Sequence, residues 1–101
     1  MKVEFLSAAE AELTDAVDYY NGQSEGLGYE FAGEIGQTIK KILSFPEAWT
    51  SLSARTRRCR TMRFPYGIVY QIRGDIILII AIMHLRRHPD SWKSRLAHEN
   101  R

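Results

Sequence analysis

Four basic side chains lie close together near the end of the chain. They are His84, Arg86, Arg87 and His88. A histidine can take up and release a proton near neutral pH, and an arginine can stabilise the charge that develops on a reacting phosphate. This combination suits cleavage of a phosphodiester bond, with His84 as the first candidate for proton transfer, His88 as the second, and Arg86 as the charge-stabilising group.

The same residues do not have the spacing of a metal site. His84 and His88 lie where an extended segment is expected to lead into a loop, and no third ligand stands near them in the sequence. The single cysteine, Cys59, is expected in the core rather than as a nucleophile. The sequence contains no glycine-rich phosphate loop and no nucleophile elbow. We therefore expect neither a metal nor another cofactor.

Positive charge is concentrated in the second half of the chain. Residues 1–54 carry three lysines against nine acidic residues, whereas residues 55–101 carry ten arginines and one lysine against three acidic residues. Arginine recognises phosphate and carboxylate groups through two parallel hydrogen bonds. The split indicates an anion-facing surface in the second half. A solvated face that forms ion pairs with acidic helices would give the same pattern.

Strand periodicity predicts where some of these arginines point, because alternate residues of a strand face opposite sides. Cys59 is expected to face the core, so Arg58 and Arg60 should face away from it. Aromatic residues near basic ones can stack on bases or anchor an interface. The candidate residues for binding a target or a nucleic acid are Arg58, Arg60, Arg63, Arg86, Arg87 and Trp92.

Hydrophobic spacing predicts the elements that position these residues. The predicted elements are a first strand around Val3 and Phe5, helices at about 8–21 and 28–44, strands at about 57–63, 66–72 and 76–84, and a short terminal helix holding Trp92. The last two strands are joined by a tight turn at Arg73-Gly74-Asp75. Residues 47–56 are predicted to be a loop.

Two short patterns predict the ends of the first helix. Ser7 and Glu10 have the spacing of a capping box, in which each side chain accepts a hydrogen bond from the other's backbone amide. Asn21-Gly22 is expected to end the helix.

The element order β-α-α-β-β-β indicates a single α+β domain over residues 1–101, with a helical hairpin packed on one face of a mainly antiparallel sheet. The other face should be exposed to solvent or functional. The sequence begins without a signal-peptide pattern, and its densest apolar run, Ile76–Met83, is shorter than the ~20 residues that cross a bilayer. We expect a cytoplasmic protein.

Several segments resemble the RelE/ParE toxin superfamily in their order and spacing. In the second half they are Phe64-Pro65-Tyr66-Gly67-Ile68-Val69-Tyr70-Gln71-Ile72, Ala81-Ile82-Met83-His84 and Arg86-Arg87-His88-Pro89-Asp90-Ser91-Trp92. In the first half, Asp18-Tyr19-Tyr20, Gly26-Leu27-Gly28-Tyr29-Glu30-Phe31 and Phe45-Pro46 resemble the helical hairpin of the plasmid-stabilisation, ParE-like branch. The resemblance covers nearly the whole chain. It implies the same fold, and a type II toxin that inhibits growth and is neutralised by a cognate antitoxin.

Two activities occur in this superfamily. RelE-like toxins cleave mRNA on the ribosome without a metal, whereas ParE-like toxins inhibit DNA gyrase. Arg58 and Arg60 stand where RelE-like toxins carry strand lysines, and Arg86 matches a basic position after the last strand. Gly67, however, stands in place of a key arginine, and Trp92 in place of a tyrosine whose hydroxyl it lacks. The resemblance therefore implies gyrase inhibition ahead of mRNA cleavage, with a toxin-like protein that has lost toxicity as a third alternative.

Overall fold

A computed structural model describes residues 1–99 of the protein, with side chains as far as Leu96. The elements in chain order are β1 (Lys2–Phe5), α1 (Ser7–Gln23), α2 (Leu27–Ser44), β2 (Thr50–Ser51), β3 (Thr56–Arg60), β4 (Tyr66–Arg73), β5 (Ile76–His84) and α3 (Lys93–Glu99). The strands form one sheet in the order β1-β5-β4-β3-β2, in which β1 is parallel to β5 and every other pair is antiparallel. The predicted α+β fold is confirmed, with β2 as an additional two-residue strand. No helix within residues 1–99 is long and apolar enough to cross a membrane.

The predicted helical hairpin is formed by α1 and α2, and it packs on one face of the sheet. α2 buries Phe31, Ile35 and Ile42 at helical spacing. The two helices touch at the level of the backbone, because a Cβ placed on Gly28 would lie 2.1 Å from the carbonyl oxygen of Val17. Only a residue without a side chain fits this crossing.

Both ends of α1 differ from the prediction. Ser7 is the first helical residue and makes no capping bond with its side chain, and the amide of Glu10 donates to the carbonyl of Leu6. The predicted capping box is therefore wrong. The helix also continues through Asn21-Gly22, because the Asn21 Oδ1 accepts a hydrogen bond of 2.7 Å from the amide of Gly28 and so ties α1 to α2.

The main core lies between the hairpin and the sheet, on what we call the hairpin face. Phe31, Ile35 and Ile42 of α2 meet the sheet there. The buried sheet residues on this face are Cys59, Ile68, Tyr70, Ile77, Ile79 and Ile82. Cys59 thus faces the helices, as its strand pattern predicts.

The opposite side of the sheet, here the outer face, carries a second cluster. A bulge in the β4–β5 pairing leaves Ile80 without a direct partner, since Val69 pairs with Ala81 and Tyr70 with Ile79. The buried members of the second cluster are Val69, Leu78, Ile80, Ala81, Met83 and Trp92, with Leu6, Leu52 and Leu96 packed against them. The expectation of an open outer face is wrong over its middle, because the segment of Trp92 and α3 covers it.

Candidate functional site

The first candidate surface is the uncovered end of the outer face. Arg58 pairs with Val69 and Arg60 pairs with Gly67, so both arginines project on the side of the Val69 cluster and away from the hairpin. Arg60 is exposed, and within the part of the chain that the structure describes neither guanidinium forms an ion pair. Strand alternation around Cys59 places these two residues correctly.

Gly67 makes room for Arg58. A Cβ on Gly67 would lie 2.9 Å from Cδ and 3.0 Å from Cγ of Arg58, so the arginine stem crosses the space that a side chain at position 67 would take. The Arg58 Nε is buried there without a hydrogen-bond partner. The stem of Arg58 therefore takes the space next to the backbone of position 67, where the resemblance leads one to expect an arginine side chain.

The other predicted arginines do not all join this surface. Arg86 is exposed beyond β5, and its side chain forms no ion pair among the described residues. Arg63, in contrast, donates to Glu30 at 2.5 Å, and Arg87 donates to Glu12 at 2.6 Å. Both carboxylates belong to the hairpin. Arg63 and Arg87 are therefore held on the hairpin side of the molecule, apart from Arg58 and Arg60.

The two histidines are bound to the backbone. The Nδ1 of His84 accepts a hydrogen bond of 3.1 Å from the amide of Arg86, and the Nδ1 of His88 accepts one of 3.2 Å from the amide of Asp90. His84 pairs with Tyr66, and their ring centroids are 5.2 Å apart. Because Tyr66 packs on the hairpin core, His84 also lies on the hairpin face.

The predicted set for RNA cleavage is brought together only in part, because Arg86 adjoins His84 whereas Arg58 and Arg60 do not. The sheet stands between His84 on one face and Arg58 and Arg60 on the other. Burial also raises the pKa of the Cys59 thiol, which keeps it protonated and unreactive at neutral pH. Within residues 1–99, no three His, Cys, Asp or Glu side chains are grouped so that they could hold a metal ion.

Trp92 is not a surface residue. Only 2% of it is exposed, and its Nε1 donates to the carbonyl of Pro89 at 2.7 Å. Its ring fills the outer-face cluster next to Met83. This placement corrects its assignment as a target-contacting residue, because an aromatic ring that closes a core contributes to packing rather than to an exposed interface.

Sequence reasoning did not single out Glu12 of α1, whose carboxylate joins α1 to β5 and to two arginines of the second half. Glu12 accepts hydrogen bonds from Arg87, from both terminal nitrogens of Arg95, and from the amide of Ile82 at 3.1 Å. Arg95 also donates to the carbonyl of Ile80 at 2.8 Å, and its bond to Glu12 raises the pKa of the guanidinium. Glu12 and Arg95 thus form hydrogen bonds with the backbone of β5, beyond the last residue of β5 that pairs with β1.

The sequence does carry a signal for Glu12. It lies three residues after Ala9 and four before Ala16, both of which are buried on the face of α1 that packs inward. A charged residue inside an apolar helical stripe is expected to have partners in the folded state.

A cleft lies between α1 and the adjoining ends of β4 and β5. Its volume is 230 Å³, and we call it the tyrosine cleft. Its polar lining consists of Glu12, Asp15, Tyr19, Tyr66, His84 and Arg87. Burial raises the pKa of Tyr66, so its phenol stays protonated at neutral pH.

Comparison with known proteins agrees with this architecture. The family model described as "ParE toxin of type II toxin-antitoxin system, parDE" matches residues 3–89. A solved structure titled "Chromosomal ParDE TA system from P. aeruginosa" superposes with a TM-score of 0.74, covering 85% of this chain and 97% of that chain at 18% identity. At this identity the likeness concerns the fold. A search of curated proteins found no match. Because the family model spans the hairpin and most of the sheet, the chain belongs to the ParE toxin family of type II toxin–antitoxin systems.

Proposed function

We propose that this toxin inhibits growth by binding a protein target, DNA gyrase, and that it does not cleave RNA. Membership of the ParE toxin family supports the first part. The observation that carries the second part is the separation of His84 from Arg58 and Arg60 by the sheet. Cleavage needs a proton carrier and charge-stabilising groups around one phosphate, and of the three predicted arginines only Arg86 adjoins His84.

The exposed end of the outer face is the proposed target-binding surface. It carries Arg60 and the stem of Arg58 beside Gly67, and neither arginine is neutralised by an acid among the described residues. Arginine is enriched among residues that dominate protein interfaces, because its planar group stacks and makes several hydrogen bonds at once. An acidic patch on the target would complement this surface.

Two assays test the mechanism, one on the purified toxin and one on induced cells. We expect the toxin to inhibit DNA supercoiling by purified gyrase, and we expect primer extension on mRNA from induced cells to show no codon-phased cuts. The opposite pattern, with cuts that disappear in His84→Ala and unaffected supercoiling, would assign the protein to the second candidate function, ribosome-dependent mRNA cleavage. The unpaired cations Arg58, Arg60 and Arg86 are the observation that favours that candidate.

A pair of variants locates the surface. Arg60→Ala should raise the toxin concentration needed for half inhibition of gyrase by at least about fivefold, the loss expected when an interface residue contributes more than 1 kcal/mol. Lys40→Ala is the matched control, because Lys40 is an exposed cation on α2, which packs on the hairpin face. Equal losses in both variants would mean that total charge, rather than the outer face, determines inhibition.

We further propose that a cognate antitoxin neutralises the toxin by laying an acidic segment over the same outer face. The charge of residues 55–101 supports this, as does the lack of ion-pair partners for Arg58 and Arg60 among the described residues. Expression of the toxin alone should arrest growth, and co-expression of the antitoxin from the adjacent reading frame should restore it. Normal growth at a verified level of folded toxin would contradict the proposal.

A further inference from the structure

The tyrosine cleft has no part in the proposed contact with gyrase. It opens between α1 and the ends of β4 and β5, on the hairpin side of the sheet. Arg58 and Arg60 lie on the other side. Its volume of 230 Å³ is below the roughly 300–1,000 Å³ of pockets that hold whole small-molecule ligands. Its size therefore fits one side chain of a partner.

One carboxylate of the cleft has no ion-pair partner among the described residues. Glu12 is neutralised by Arg87 and Arg95, which both donate to it. Asp15 is exposed at the wall of the cleft, and no ion pair of its carboxylate is found within the described part of the chain. The carboxylate of Asp15 is thus the charge that remains available to a ligand, and it favours a cation.

Two phenol rings provide the other walls. Tyr19 is 60% exposed, and its ring packs edge-on against Tyr20 with centroids 5.3 Å apart, which holds it beside the cleft. The ring of Tyr66 makes T-shaped contacts with the rings of Phe31 and His84. Aromatic faces next to a carboxylate favour a planar, weakly hydrated cation over a compact ammonium ion.

The imidazole of His84 is a fixed wall of the cleft and offers no acceptor to a cation. Because its Nδ1 accepts the amide of Arg86, the neutral ring carries its proton on Nε2. The hydrogen bond also fixes the orientation of the ring beside Tyr66.

We propose that the tyrosine cleft binds the guanidinium group of an arginine side chain presented by a partner polypeptide. Asp15 accepts two hydrogen bonds from the guanidinium, and the rings of Tyr19 and Tyr66 stack on its plane. A polypeptide is the source because the cleft has room for a side chain, and no second cationic side chain lines it that could hold a free carboxylate, Arg87 being engaged by Glu12.

The test is a titration of the isotope-labelled toxin with the blocked peptide acetyl-Gly-Arg-Gly-amide, followed by NMR. The ring signals of Tyr19, Tyr66 and His84 should shift and saturate, with a Kd on the order of 1–10 mM for a ligand of this size. The lysine counterpart of the peptide should bind more weakly by about threefold or more, since it lacks the planar group. Free L-arginine should bind as the blocked peptide does.

Variants separate the cleft from general electrostatics. Asp15→Asn should weaken arginine-peptide binding about three- to fivefold, the size of an exposed ion pair, and Tyr19→Ala should weaken it by a similar factor. Asp18→Asn removes an exposed carboxylate from the same helix outside the cleft, and it should leave binding unchanged. Equal effects of the two aspartate variants, equal binding of the lysine peptide, or no saturable shift would overturn the proposal. Saturable binding of free arginine combined with no binding of the blocked arginine peptide would overturn the polypeptide as partner.

Discussion

The two faces of the central sheet are covered in different ways. On the hairpin face, two helices of 17 and 18 residues bury a continuous core around Phe31. On the outer face, the cover is the segment of Trp92 and a seven-residue helix, with Leu52 beside them. The first face is covered except at the tyrosine cleft, whereas the second is covered in the middle and leaves Arg60 exposed at one end.

The same division applies to charge. The hairpin carboxylates Glu12 and Glu30 form ion pairs with Arg87, Arg95 and Arg63. Some of the second-half arginines therefore pair with the acidic helices. Arg58 and Arg60 of the outer face have no such partner among the described residues. The ion-pair alternative therefore holds for Arg63, Arg87 and Arg95. An anion-facing surface at Arg58 and Arg60 stays a proposal.

The largest expected change in the free energy of unfolding comes from a substitution on the hairpin face. Phe31 is fully buried and touches three aromatic rings, those of Tyr20, Phe64 and Tyr66. Phe31→Ala should lower the free energy of unfolding by about 3–5 kcal/mol, because it removes a large apolar side chain and leaves a cavity. Urea unfolding followed by circular dichroism measures this. A loss under about 1 kcal/mol would mean that this face is not the main core.

The next largest loss of stability is expected at Gly28, where α1 and α2 cross. Gly28→Ala should lower the free energy of unfolding by about 2–3 kcal/mol, because the new Cβ meets the Val17 carbonyl and the Asn21 side chain and forces α1 and α2 apart. Gly36→Ala in the same helix is the matched control, since nothing lies within 4 Å of the added Cβ. It should raise stability by about 0.5–1 kcal/mol, the helix propensity difference. A neutral Gly28→Ala would show that the hairpin can shift without cost.

Alkaline pH should weaken the hairpin face. Burial raises the pKa of Tyr70 to about 12, and burial also raises the pKa of Tyr20 and Tyr66. Between pH 10 and this value the unfolded chain loses the phenol proton while the folded chain keeps it, so stability is present below pH 10 and falls as the pH rises. For Tyr70 alone the loss between pH 8 and pH 11 is about 1.4 kcal/mol, one pKa unit's worth.

Urea unfolding at pH 8 and at pH 11 measures this loss. The control is Tyr70→Phe, which lacks the titrating group and the hydrogen bond to the Pro46 carbonyl. It should lose less stability than the wild-type chain over the same pH interval. Parallel curves for the two proteins would show that Tyr70 does not contribute to the alkaline loss.

Periodicity was sufficient to predict most of the fold. The bounds of β5 are those predicted, and α2 differs by one residue, because both segments repeat their apolar residues at one period over many positions. β2 was missed since two exposed residues carry no pattern. The bulge at Ile80 was missed because β5 is apolar on both faces, so alternation does not reveal where its phase changes.

The direction of a candidate side chain was predictable only where it depends on alternation within one strand. Alternation around Cys59 places Arg58 and Arg60 correctly. The positions of His84, Arg87 and Trp92 depend on how separate elements meet, namely on the pairing of β4 with β5, on the reach of Glu12, and on the docking of α3. His84 and Trp92 are close in sequence and were therefore assigned to one surface, but they lie on opposite faces of the sheet.

The smallest expected effect tests whether the outer face is an independent unit. Trp92→Ala removes the largest side chain of that cluster, and such a change costs about 3–5 kcal/mol where the whole core must adapt. Here the segment from Arg86 to Leu96 can detach instead, which limits the cost to the free energy of local opening, roughly 1–2 kcal/mol. Hydrogen exchange should therefore become faster at the amides of Arg87 and Arg95. These amides donate to the carbonyls of His84 and Trp92, respectively. The amide of Ile68, in the middle of β4, should keep its rate, and equal acceleration there would show that the two faces unfold as one cooperative unit.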